Sequence, residues 1–88
     1  MPVYVGERYV AQAAPRAALE QAKRIRGAAL RLARAGSPVK LLSTTFVPNE
    51  EWAFDLFEAP SPDEVRDVYE ACGLLVERVT EGTHLPGP

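Results

Sequence analysis

Residues 39–65, VKLLSTTFVPNEEWAFDLFEAPSPDEV, decide how this chain folds. Val39 to Val47 and Trp52 to Glu58 are rich in the β-branched and aromatic residues that favour strands. Between them "PNEE" is a short polar turn with Pro48 and Asn49 as breakers, so the two runs form a hairpin. A helix start follows almost at once. Ser61 stands at the cap, Pro62 at the first helical position, and Glu64 three residues after the cap, as a capping box requires. Asp63 and Glu64 also suit the positive end of the helix dipole. Three hydroxyl residues in a row, Ser43-Thr44-Thr45, sit inside the first strand. Alternation along a strand sends at least one of them to a face that is otherwise apolar.

Outward from this stretch the pattern repeats itself. Val65, Val68, Tyr69 and Cys72 recur at helical spacing, Gly73 stops the helix, and "LLVERVTE" (74–81) reads as a strand. Upstream, Val3 to Val10 is a strand rich in Val and Tyr, and "AQAAP" changes the period. From Pro15 to Ala35 the residues Ala18, Ala22, Ile25, Ala29 and Leu32 mark an amphipathic helix that ends at Gly36-Ser37-Pro38. Gly27 in the middle of that helix costs about 1 kcal/mol relative to Ala. The order strand, helix, strand, strand, helix, strand is two βαβ halves. It predicts an α+β, ferredoxin-like βαββαβ sandwich over residues 1–82. Its four antiparallel strands carry both helices on one face, with the first and third strands central. Residues 83–88 are left as an irregular tail, where the prolines exclude regular structure.

The uncovered face of such a sheet should be polar, and it is not. Trp52, Phe54 and Leu56 point one way, while Ala53 and Phe57 flank Asp55 on the other. In the second strand Leu41 and Val47 are expected on one side, Leu42 and Phe46 on the other. Apolar residues on both faces imply that both faces are buried, and the simplest cover is a second copy, giving a homodimer.

Composition narrows the class. The chain has 88 residues, 47% of them apolar and 25% charged, with a formal charge of −2. This is a single globular domain, and its charge balance gives no reason to expect nucleic acid as a partner. The lone Cys72 excludes an internal disulfide, and no apolar run approaches the ~20 residues needed to cross a bilayer. The first ten residues start directly into a strand pattern without the features of a signal peptide, so the expected location is the cytoplasm. The basic outer face of the first helix (Arg16, Lys23, Arg24, Arg31, Arg34) lies beside an acidic second helix (Asp63, Glu64, Asp67, Glu70). Opposite charges on neighbouring elements need no nucleic acid or membrane. Arg26, at the border of the apolar stripe, is expected to snorkel or to pair with a carboxylate.

Candidate ligand or metal residues come from oxygen donors near the sheet centre. Glu7 and Arg8 fall in the first strand beside Asp55 of the third, where a charge is costly unless paired. Glu7, Asp55, Glu58 and the hydroxyls of Ser43, Thr44 and Thr45 could line one small polar site between sheet and partner, suited to a hard metal ion or a small ligand. The plainer reading is a set of internal ion pairs, for example Glu7 with Arg78. His84 is the only histidine and lies in the tail, so one chain cannot build an imidazole-rich site. Cys72 on the apolar helix face reads as a structural thiol. No phosphate-binding loop, dinucleotide fingerprint or nucleophile elbow is present, and no catalytic residue is assigned.

The stretches "YVGERYV", "FDLFEAPSPDEVRDVYEACGL" and "VERVTEG" together resemble a small bacterial family of unknown physiological role, one branch of which is described as nickel-binding. The resemblance implies ferredoxin-like domains that pair sheet to sheet as dimeric α/β barrels, with nickel as the implied divalent metal. It also implies a histidine in the second strand, followed by a small hydroxyl residue and an aromatic. Here that stretch is Ser43-Thr44-Thr45-Phe46 without the histidine, and Asp55 stands where members often carry a cysteine. Imidazole is the preferred donor for nickel among these groups, so weak metal binding or a small organic ligand is expected. Dimeric α/β barrels also include cofactor-free monooxygenases and small isomerases, which supply the enzymatic alternative. A purely structural or interaction module is the third.

Overall fold

The computed structural model describes residues 1–11 and 14–87. The middle of "AQAAP" (residues 12 and 13) and the last residue of the 83–88 tail lie outside the described residues. In chain order the elements are β1 (Val3–Tyr9), α1 (Pro15–Arg34), β2 (Lys40–Val47), β3 (Trp52–Glu58), α2 (Pro62–Cys72) and β4 (Arg78–Gly82). The strands form one antiparallel sheet in the order β2-β3-β1-β4, so β1 and β3 are central as the hairpin reading requires.

Both helices cover the same face. Tyr4 of β1 and Phe57 of β3 share one apolar cluster with Ile25, Ala28 and Ala29 of α1 and with Val65, Val68 and Tyr69 of α2. A smaller cluster of Val10, Ala18 and Ala53, flanked by Phe46, closes the core beneath the start of α1. Phe57 and Tyr69 meet edge to face, with ring centroids 5.7 Å apart. The helices also touch each other, and Arg24 of α1 donates to the carbonyl oxygen of Cys72, an acceptor that the end of α2 leaves free.

The two helix ends of α2 differ in how closely they follow the sequence reading. Gly73 takes the left-handed conformation at φ 71°, and Leu74 N–H returns to the Tyr69 carbonyl, as in a Schellman stop. At the start, the Ser61 hydroxyl does not bond the backbone of the first turn. It donates instead to the Glu64 carboxylate. That bond, with backbone N–H donors beside it, holds the Glu64 carboxyl below its ordinary pKa.

Two strand expectations need correction. β4 begins at Arg78, four residues later than the "LLVERVTE" run. The reason is its partner: β1 offers β4 a register from Val3↔Gly82 to Glu7↔Arg78, and the bond from Glu77 N–H to the Glu7 carbonyl closes it. Leu74 and Val76 are drawn onto the helix-side core instead. The second correction is in β2, where the register against β3 shifts between Leu41 and Ser43. This β-bulge puts Leu41 opposite Phe57 on the helix side, whereas Val47 lies opposite Trp52 on the open face. Leu41 and Val47 therefore do not share a face, and Leu42 is left at the bulge, exposed.

Candidate functional site

The strand alternation of β1 puts Tyr4, Gly6 and Arg8 under the helices, and that of β3 does the same for Ala53, Asp55 and Phe57. Arg8 and Asp55 are 1% and 0% exposed, so a full charge pair is enclosed in the core. Arg8 Nε donates to Asp55 Oδ2 at 2.8 Å and Nη2 to Oδ1 at 3.3 Å. Tyr69 Oη donates to Oδ2 at 2.6 Å, and Thr44 Oγ1 to Oδ1 at 2.7 Å. The remaining arm of Arg8 donates to Gln21 Oε1 on α1. Each carboxylate oxygen thus accepts two bonds, which uses the acceptor capacity of the group. Such saturation is what makes a buried ion pair tolerable. Burial, followed by the Asp55 carboxylate beside it, pushes the Tyr69 phenol far above its ordinary pKa.

The six candidates from the sequence do not meet at one point. Thr44 and Asp55 join this buried network on the helix side. Glu7, Ser43, Thr45 and Glu58 are carried by registers that share the open face: Glu7↔Phe54↔Thr45, Leu56↔Ser43 and Val3↔Glu58. The single polar site expected from all six is therefore divided by the sheet itself. Thr44 is the hydroxyl of the run that is sent under the helices, where it donates a hydrogen bond to Asp55. Glu7 pairs with Arg78, Nε to Oε2 at 2.6 Å, as the ion-pair reading anticipates.

Sequence reasoning did not place Gln21 or the Tyr69 hydroxyl in any site. Arg8 carried a signal, a charge at a central-strand position on the same alternation as Tyr4 and Val10. Gln21 and Tyr69 carried none, because a glutamine and a tyrosine on amphipathic helices fit unremarkable packing roles.

The open face itself is mostly apolar. Val3, Val5, Trp52, Phe54, Leu56 and Val47 are half-buried, and Tyr9 is 52% exposed. Tyr9 and Trp52 stack edge to face at 6.1 Å. Among the described residues no three His, Cys, Asp or Glu side chains are close enough to hold a metal ion. His84 lies exposed beyond β4. The described residues of one chain therefore do not fit a nickel centre. No described helix is long and apolar enough to cross a membrane.

Fold and site define a ferredoxin-like α+β domain with a buried Arg–Asp network on the helix side and an apolar open sheet face. Among solved structures, the crystal structure of SCO4226 from Streptomyces coelicolor A3(2) is similar in fold. The TM-score is 0.72 at 17% sequence identity, covering 96% of this chain and 99% of that one. No protein-family model and no curated protein matches the sequence.

Proposed function

We propose that this is a non-catalytic, homodimeric small-ligand-binding protein, in which the open sheet faces of two copies enclose the ligand. The observation that carries the reading is the open face: Val3, Val5, Trp52, Phe54, Leu56 and Val47 form an apolar surface across the sheet, beside four polar candidates, Glu7, Ser43, Thr45 and Glu58. An apolar floor with a few polar groups is the usual chemistry of a site for a small organic molecule. A contiguous apolar face of this kind is also the usual mark of an interface.

The catalytic alternative, a cofactor-free monooxygenase- or isomerase-like enzyme, needs an acid or base free to exchange a proton. Asp55 is engaged by four donor atoms from Arg8, Thr44 and Tyr69, and Glu7 is engaged by Arg78. Both observations favour binding over catalysis. The nickel role implied by the family resemblance has no histidine on β2 to rest on.

Native mass spectrometry of the untagged protein tests the reading. The expected species has twice the 9.6 kDa chain mass and retains a small organic mass that collisional activation releases. A bare monomer at tens of micromolar, roughly where an interface of standard size should hold, would overturn it.

A further inference from the structure

A second apolar surface lies away from the open face, along the edge of the sheet. A groove of about 880 Å3 runs between α1 and β2, lined by Leu19, Ala22, Ala29, Leu30, Leu41 and Leu42. A smaller depression of about 260 Å3 shares Leu19, Ala22 and Thr44 with it and extends it toward Pro15 and Phe46. Four of the seven most exposed large apolar side chains among the described residues, Met1, Leu19, Leu30 and Leu42, line this groove. Its volume is within the range of about 300–1,000 Å3 that small molecules occupy. Along α1 from Leu19 to Ala33 it is about 21 Å long, at roughly 1.5 Å per residue.

The charged residues of the lining are all of one sign. Lys23 and Arg26 from α1 and Lys40 from β2 line the groove, and among the described residues no carboxylate does. Arg26, expected to pair or to snorkel, is exposed here at the border of the apolar stripe. A long apolar trough with cations on its walls complements a molecule with an aliphatic body and an anionic head.

We propose that the α1/β2 groove binds a free aliphatic carboxylate, its chain along Leu19, Leu30 and Leu42 and its head group at Lys23, Arg26 and Lys40. A concave trough suits a single extended chain better than it suits a bilayer surface. The site shares only Ser43, beside the bulge, with the open face and does not depend on the proposed function: either can fail alone.

The test is titration of the untagged, delipidated protein with decanoate, read by residue-resolved amide NMR. Decanol and decyltrimethylammonium serve as neutral and cationic controls. The expected result is saturable binding with shifts at Leu19, Leu30, Leu42 and Thr44. Combined K23E, R26E and K40E should weaken decanoate by about tenfold or more while leaving decanol unchanged. All three side chains are exposed, so an unaltered melting temperature is expected; Leu30→Ser gives a second variant that should weaken both the acid and the alcohol. Shifts confined to Val5, Thr45 and Phe54 would overturn the proposal. So would equal affinity for the cationic control, no saturation at millimolar decanoate, groove shifts that follow protein concentration alone, or binding to anionic vesicles without binding to decanoate.

Discussion

Asp55 concentrates more of the core's polar bonding than any other described side chain, so single atoms there have large effects. Asp55→Asn leaves Arg8 buried without a counter-charge, and breaking such a pair typically costs about 3–5 kcal/mol. Tyr69→Phe removes one donor to the carboxylate and leaves Arg8 and Thr44 in place, so a smaller loss of about 1.5–3 kcal/mol is expected. Urea titration of both variants checks the ranking, and equal losses would contradict it. The same phenol sets a pH limb. Its folded pKa is raised above the unfolded value of ~10, so the folded state holds a proton the unfolded state releases. Its contribution is therefore fully present below pH ~10 and falls by up to ~1.4 kcal/mol per pH unit above it. Alkaline unfolding curves should be shallower in Tyr69→Phe than in the parent; parallel curves would mean that Tyr69 does not govern that limb. Part of this network was legible in advance: Arg8 stood out as a central-strand charge that needs a partner, and Asp55 and Thr44 as neighbouring polar candidates, though in a site between sheet and partner and not under the helices. The helix residues that complete it were hidden, since nothing in a periodic pattern distinguishes a tyrosine with a bonded hydroxyl from one that only packs.

Two glycines inside regular elements have opposite meanings. On Gly6 of β1 an added methyl group would stand 2.1 Å from Tyr69 Oη, so Gly6→Ala must push the phenol off Asp55. Overpacking costs roughly 1–3 kcal/mol and the lost bond adds to it. Gly27 of α1 has only the flexible end of Arg31 nearby, at 3.4 Å, so its ordinary helical conformation accepts a side chain. Gly27→Ala should stabilise by about 0.5–1 kcal/mol. Thermal melts of the two variants should move in opposite directions, and a shared direction would contradict the contact geometry. The elements themselves were readable from capping, breakers and alternation, including the central positions of β1 and β3. The bulge at Leu42 was not, because "KLLSTTFV" contains no glycine or proline to announce it. One inserted residue reversed the face expected for Leu41. The late start of β4 was equally hidden, since Leu74 and Val76 pack onto the helix-side core instead of extending the ladder along β1.

For the whole molecule, the proposed dimer predicts that Phe54→Asp, in the middle of the open face, converts it to a monomer without unfolding it. Sedimentation together with circular dichroism reads both properties, and an unchanged dimer would move the interface elsewhere. Nickel should bind weakly or not at all. Calorimetry of the metal-stripped, untagged protein is expected to give heats no larger than the blank. Affinity tighter than about a micromolar, lost on mutating the open-face Glu7, would show a centre that two chains build together. The bulge in β2 also bears on how copies can meet. An edge strand with a continuous ladder is a template for end-on growth into fibres, and natural proteins blunt such edges with irregularities and lysines. β2 has both, a break in register after Leu41 and Lys40 at its start, and the opposite edge, β4, is only five residues long. Association through the faces closes on itself, whereas association through edges need not, and this chain has made the edges the poorer choice.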